Sequence, residues 1–428
     1  MPNKRTLVIG TTADYVEMIE RRFPGRAVFL TDAGERARAG EPAPASEVLA
    51  DLSRPDEAVA ALRDHLRRFN LSASGVTCFD CESLSLAADV AERLSLPYAS
   101  HEAVAACRSK LLSKELWRRA GLPCPAAELV QTETEAAEFL RRTGRPALLK
   151  PLTGCGSELL FVCETQEDCT RAFHVMRARL EHHPDCRMYA NYFHGGAELN
   201  PRRTFVIEQL VRGVEYSCDF VVDGDGVEVI RLARKIAAAG QPVGTTLAYV
   251  LPAALPEPLE PEGFRQQLLG AARAVGLERA ICMLDFMVED GFLAKMIEIA
   301  PRPGGDCLPW LVRQSCGLDM LGAALDFAEG RKVVVPEPAR WRQLVGLRLF
   351  AERAGVIRRI GDEELKRDPR VLETYLKRSA GHRVVLPPEN YDSRVLGHVI
   401  FRPADGKDVS HIEAECHELR TKLELEMQ

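Results

Sequence analysis

The chain has 428 residues, 46% of them hydrophobic and 28% charged, enough material for about three domains of ordinary size. A formal charge of −6 and an isoelectric point near 6.0 leave no basic footprint for nucleic acid or an anionic membrane surface. No stretch approaches the roughly 18 uninterrupted apolar residues of a membrane span, and thirteen cysteines scattered without a framework fit a reducing, cytoplasmic setting.

The N-terminal apolar stretch "TLVIG" is too short for a signal-peptide core and reads as a first strand. Strand and helix then alternate through "DYVEMIERRF", "AVFLT", "PDEAVAALRDHLRRF", "GVTCF" and "SLSLAADVAERL", the pattern of an open α/β sheet. Gly10 begins no G-x-G-x-x-G, which argues against a dinucleotide site. Cys78 and Cys81 form a C-x-x-C with no thioredoxin-like surroundings, and two small residues at a strand end explain it equally well. The helix "RSKLLSKELWRRA" is stopped by Gly121, Pro123 and Pro125.

A second α/β unit carries "ALLKPLTGCGSELLFV", where Lys150 ends an apolar run ahead of a loop with Gly154, Gly156 and Ser157. Glycines let backbone N–H groups wrap an anion while a lysine supplies the charge. The usual helix-opening phosphate loop has its lysine after the glycines, so here the loop must lie between two strands. An ordinary hairpin with Lys150 in solvent is the competing reading. Beyond come a helix around 166–181, a polar loop 182–203 with adjacent and solvated His182 and His183, and the strands "TFVIEQL" and "EYSCDFVV". After the helical "GFRQQLLGAARAVGL", the stretch "CMLDFMVEDGFLAKMIEIA" reads as a hairpin.

With a two-residue turn at Asp290–Gly291, Asp285 faces Met296 and has Glu298 as its diagonal neighbour. That register puts Met283, Met287, Ala294, Met296 and Ala300 on the acidic face, and Leu284, Phe286, Val288, Leu293, Ile297 and Ile299 on the core face. Two ionised acids among apolar neighbours call for a cation such as Mg²⁺, against the bland reading of a solvent face with incidental acids. Arg302 follows on the acidic face within "APRPGGD" and offers a fork for a carboxylate or phosphoryl group. Past the linker "VVVPEPARW" the chain changes to short strands and glycine turns, a small third domain.

In this order the parts resemble the ATP-grasp superfamily, and within it the carboxylate–amine ligases, especially the L-amino-acid (dipeptide) ligases. The resemblance implies an α/β (α+β) ATP-grasp fold with an N-terminal α/β domain over 1–105, an ATP-grasp domain over 106–335 with lobes of about 106–207 and 208–335, and a C-terminal domain over 336–428. It implies ATP and Mg²⁺ (or Mn²⁺) as cofactors, small-molecule acid and amine substrates, no nucleic-acid or membrane partner, and an assembly compatible with a homodimer.

By the same resemblance Lys110, with Lys114 a nearby competitor, and Lys150 bind ATP phosphates under a lid formed by 153–158. Glu208, Gln209 and Val211 read adenine, Glu215 holds the ribose, and Asp285 and Glu298 bind the metal. Arg302 is the catalytic clamp. Ala300 stands where the family commonly has Asn, which leaves the second metal position open. Segment 231–246, with Arg234 and Lys235 as phosphate contacts or solvated side chains, and the loop holding Tyr189, Tyr192 and Asn200 line the substrate pocket. The implied reaction joins an acid to an amine through an acyl phosphate and releases ADP and phosphate. Carboxylation, thiol ligation and a non-catalytic nucleotide-binding protein are the alternatives.

Overall fold

The computed structural model describes residues 3–40, 42–194, 196–289, 294–404 and 408–428. Strands β1 (Asn3–Ile9), β2 (Ala27–Asp32), β3 (Glu47–Ala50) and β4 (Leu71–Thr77) form a parallel sheet of order β3-β2-β1-β4. The apolar runs Leu7–Ile9 of β1 and Ala27–Leu30 of β2 are buried throughout, as suits central strands covered on both faces. One face joins the helices Leu308–Cys316 and Met320–Ala328 in a single apolar cluster that includes Val8, Phe29, Leu321 and Phe327.

Next comes an antiparallel sheet of order β5-β10-β6-β7, made of β5 (Ala127–Val130), β6 (Ala147–Pro151), β7 (Phe161–Cys163) and β10 (Phe205–Gln209). The helix Gln166–Glu181 covers it, opened by a capping box in which Thr165 accepts from the Asp168 amide and Asp168 reaches back to the Thr165 amide. The expected polar loop 182–203 also contains the short hairpin β8 (Tyr192–His194) and β9 (Ala197–Leu199).

The largest sheet has the order β15-β14-β11-β12-β13-β16-β20-β18. It comprises β11 (Val214–Asp223), β12 (Gly226–Ala237), β13 (Thr246–Leu251), β14 (Arg279–Val288), β15 (Ala294–Ala300), β16 (Leu344–Phe350), β18 (Val371–Leu376) and β20 (Val395–Phe401). Three of its eight strands therefore come from the C-terminal segment, so 336–428 shares one sheet with the preceding lobe. Strands β17 (Gly355–Gly361), β19 (Arg383–Val384) and β21 (Glu424–Met427) make a small sheet beside it.

The β14–β15 ladder departs from the expected register. Asp285 pairs directly with Glu298, and Phe286, not Asp285, pairs with Met296. A bulge between Asp285 and Phe286 leaves Ile297 unpaired, shifting every residue before it by one and hence to the other face. Ala294 and Met296 accordingly lie in the core with Leu284, Phe286, Val288 and Ile299, while Ile297 is outside that cluster. The turn expected at Asp290–Gly291, with Leu293, lies outside the described residues.

Candidate active site

Lys150 pairs with Val206, and Glu208 with Leu148, across the antiparallel β6–β10 ladder, so both side chains emerge from one face. Lys150 Nζ donates to Glu208 Oε1. At 4% exposure Lys150 is no solvent-facing hairpin lysine. Lys114, on the helix Leu112–Arg119, approaches Glu208 Oε2 at 3.0 Å and donates to the Ile297 carbonyl at 2.9 Å. Burial opposes the charge on Glu208, but Lys114 and Lys150 outweigh it and hold the carboxyl below its ordinary value. Burial pushes Lys150 down to about 8, with Glu208 offsetting part of the fall. Gln209 ends β10, and Val211 is buried on the crossing toward β11.

Lys110 precedes that helix and donates to the Gly154 carbonyl at 2.7 Å, reaching the glycine loop from below. Gly154 sits at φ +126°, a region essentially closed to side chains, and a Cβ there would also meet the Tyr189 hydroxyl at 3.1 Å. Ser157 Oγ donates to the Gly244 carbonyl at 3.0 Å, which ties the far end of the loop to the turn before β13. Glu158 accepts from the Tyr189 hydroxyl at 2.9 Å and contacts His183 Nε2 at 3.2 Å, so His183 is a packed partner of the loop and not a solvated residue. Tyr192 donates to Ser109 Oγ at 2.8 Å, beside Lys110. Asn200 instead caps a local turn through the Arg202 amide at 2.9 Å.

The acids form a second cluster. Asp285, directly across from Glu298, is 8% exposed, and its Oδ1 is buried without a hydrogen-bond partner. Its Oδ2 lies 3.1 Å from Lys235 Nζ, which also donates to Glu215 Oε1. Burial works against the Lys235 charge, but Asp285 and Glu215 outweigh it and hold the ammonium well above its ordinary value. Glu215 is raised by burial. Arg234 is on the opposite face of β12, across from Tyr216, so only Lys235 of that pair joins the acids. The period-2 alternation of β12 could have separated the two residues in advance.

Arg302 directs Nε and Nη2 at Cys81 Sγ, at 3.1 and 3.0 Å, and Nη1 at the Pro303 carbonyl at 2.7 Å. The Cys155 thiol, as hydrogen-bond partner, draws Cys81 down to about 6; burial opposes this and Arg302 reinforces it. Cys78 bonds the Asp80 carbonyl instead, so the C-x-x-C residues have separate roles. The turn after Arg302 is held from beneath, because Asp219 accepts from the Gly304 amide at 3.1 Å and pairs with Arg231 at 2.9 Å. Both charged side chains are almost wholly buried, and a Cβ on Gly304 would come within 2.4 Å of Arg231 Nη2. This support had no motif in the sequence.

These features form an ATP-grasp fold, and residues 143–309 match the ATP-grasp domain. In three dimensions the whole chain superposes on an L-amino acid ligase from Bacillus licheniformis with a TM-score of 0.75, at 18% identity, covering 100% of both chains. A carboxyaminoimidazole ribonucleotide synthase complexed with ATP, from Aspergillus clavatus, gives a TM-score of 0.68 at 16% identity over 99% of this chain and 100% of that one. In sequence it is 25% identical to human carnosine synthase 1 over 69% of this chain and 35% of that protein. It is likewise 25% identical to D-alanine–D-alanine ligase of Paracidovorax citrulli over 56% of this chain and 70% of that protein. The chain thus spans about a third of the length of the carnosine synthase it matches.

Proposed function

We propose that this chain is an ATP-dependent ligase that joins a small carboxylic acid, an amino acid, to an amine through an acyl phosphate, releasing ADP and phosphate. The supporting observation is the Asp285–Glu298 pair, set directly across one ladder with a buried, unpartnered Asp285 Oδ1, with Lys235 on Asp285 and the Lys110 charge interacting with Glu298. Hard carboxylate oxygens on one face fit Mg²⁺ or Mn²⁺, and the orphaned Oδ1 is costly unless a cation meets it. Bound there, the ion would neutralise phosphate charge.

In this reading Lys110 and Lys150 hold the nucleotide phosphates beneath the loop 153–158. Because Glu208 is already engaged by two lysines, adenine falls to the backbone from Gln209 to Val211, and the ribose to Glu215. Arg302 orients the donor carboxylate with its planar fork, so that a carboxylate oxygen attacks the terminal phosphorus and ADP leaves. Charge spreads over the transferring group, and in this reading Lys110, Lys150 and Arg302 stabilise it. Glycine-loop closure excludes water from the acyl phosphate until the amine attacks its carbonyl and phosphate departs.

Two of the similar proteins are named as amino-acid ligases, which supports an amino acid as the acid. Among the described residues no helix is long and apolar enough to cross a membrane. ADP release measured with a panel of acids and amines tests the reading. Turnover that needs both partners supports it, and ADP release with bicarbonate or a thiol in place of the amine replaces it with another chemistry.

A further inference from the structure

The fork of Arg302 points at sulfur. Its Nε and Nη2 both donate to Cys81 Sγ, at 3.1 and 3.0 Å, an arrangement that suits an anionic acceptor far better than a neutral thiol. Burial works against the Arg302 charge, but Cys81 foremost outweighs it and holds the guanidinium above its ordinary value. Cys81 lies between β4 and the helix Leu84–Arg93, and Cys155 lies in the glycine loop between Gly154 and Gly156. The two thiols, far apart in sequence, hydrogen-bond each other.

The pair is unequal. Cys81 is half-buried beside a fixed cation and favours the thiolate, whereas Cys155 is exposed and keeps its proton because it donates to Cys81. A thiolate held by a guanidinium, with a protonated thiol in contact, supplies both the nucleophile and the resolving sulfur of a peroxide-sensitive pair. Two other thiol neighbourhoods lack one part or another. Cys163 and Cys169 also hydrogen-bond each other, yet both are wholly buried. Cys78 is 2% exposed and bonds the Asp80 carbonyl at 3.2 Å. The loop around Cys155 is anchored on both sides, by Lys110 on the Gly154 carbonyl at 2.7 Å and by Ser157 on the Gly244 carbonyl at 3.0 Å, so its thiol stays within reach of Cys81.

We propose that Cys81 and Cys155 form a redox-modification site, in which a hydroperoxide oxidises Cys81 and Cys155 closes a disulfide that fastens the glycine loop to the end of β4. The Cys81 thiolate attacks the terminal oxygen of the hydroperoxide and the O–O bond breaks. Cys81 becomes a sulfenic acid, while the alkoxide or hydroxide leaves and takes a proton from water. The Cys155 sulfur then attacks Cys81, the S–O bond breaks, the S–S bond forms, and the hydroxyl leaves with the Cys155 proton as water. The sulfurs lose the electron pair that the peroxide gains, and a dithiol reductant reverses the bond and ends as a disulfide itself. The bond removes the anion from the Arg302 fork and stops the loop 153–158 from opening. The modification stands on the thiols alone; its effect on turnover rests on the ligase reading, in which nucleotide enters and leaves beneath that loop.

The test treats the reduced chain with an equimolar amount of hydrogen peroxide, alkylates it in denaturant, and maps its peptides before and after dithiothreitol. Cys81 and Cys155 should appear as one dithiothreitol-sensitive cross-linked pair, with Cys163 and Cys169 alkylated. Cys155→Ser should stop instead at a Cys81 sulfenic acid, trapped by dimedone. Arg302→Gln should slow the oxidation of Cys81 at least tenfold, since the thiolate loses its cation. Amide hydrogen exchange in 153–158 should slow at least tenfold in the oxidised chain and recover with dithiothreitol. A Cys78–Cys81 cross-link, oxidation of Cys163 and Cys169 ahead of Cys81, or loop exchange that oxidation leaves unchanged overturns the proposal, and each is read on the unaltered protein, so no variant has to fold. With an acid–amine pair that turns over, ADP release should fall at least tenfold on oxidation and return on reduction; release that the cross-link leaves unchanged overturns the switch. Should no pair turn over, the ligase reading fails by itself, and the peptide map with the loop exchange still decides the site.

Discussion

Lys150→Met removes the ammonium and keeps most of the side-chain volume, so the change at the proposed nucleotide site is almost purely one of charge. A charge-assisted contact to phosphate contributes about 1.5–3 kcal/mol, so ATP affinity should fall roughly ten- to hundredfold. Glu208 keeps Lys114 at 3.0 Å, so its carboxylate is not orphaned and the fold should survive. Burial places the Lys150 pKa at about 8, below the ordinary lysine value. A depressed pKa means the charge is lost as pH rises through 8, and phosphate attraction goes with it. From pH 7 to pH 9 the protonated fraction drops about tenfold, and the ATP affinity of the unaltered protein should drop by the same factor. Lys150→Met should show no such limb. Calorimetric titration with ATP and Mg²⁺ at the two pH values measures both effects. An unaltered protein with a flat profile, together with unchanged affinity in the variant, would remove Lys150 from the nucleotide site.

Arg302→Lys should be nearly as damaging as Arg302→Ala, each costing about 2–4 kcal/mol in kcat/KM for the donor acid, because the fork and not the charge alone matters; ATP affinity by calorimetry should stay within twofold. Asp219→Ala leaves Arg231 buried and uncompensated and should cost about 3–5 kcal/mol in stability, read from the urea midpoint; a loss below about 1 kcal/mol would show that the pair does not hold the Arg302 turn. Gly154→Ala forces a side chain into φ +126° and toward the Tyr189 hydroxyl, so kcat should fall at least tenfold with Tm lowered by only a few degrees; steady-state kinetics beside a thermal melt checks it.

The fold class was legible because strand and helix periods are local properties of the chain, as in "TLVIG" and "DYVEMIERRF". Strand β3 was missed because "EVLA" offers four residues with one charged, too short a pattern to stand out. The bulge at Asp285 changed the hairpin register without any glycine or proline to mark it, and that alone moved Met296 and Ala294 into the core. The lysines and acids were visible as residue types, but their pairings were not. Lys114 meets Glu208 and Lys235 meets Asp285 across long sequence separations, and Arg302 meets Cys81 from 221 residues away. Such contacts follow from how lobes pack, which no local pattern records. Lys114 appeared only as a competitor of Lys110, yet it shares the Glu208 carboxylate with Lys150 while Lys110 holds the glycine loop. Their separation of four residues places both on one side of the chain, which was the available signal.

The acyl phosphate is the centre of the account, and oxygen-18 in the donor carboxylate tests it most directly. If a carboxylate oxygen attacks the terminal phosphorus and the amine then displaces phosphate, one labelled oxygen must appear in the inorganic phosphate released, in step with product formation and with ADP as the spent nucleotide. Label recovered in AMP, with pyrophosphate released, would mean adenylation of the acid, and phosphate without label would mean that no acyl phosphate forms; either result contradicts the mechanism assigned to Lys110, Lys150, Asp285, Glu298 and Arg302.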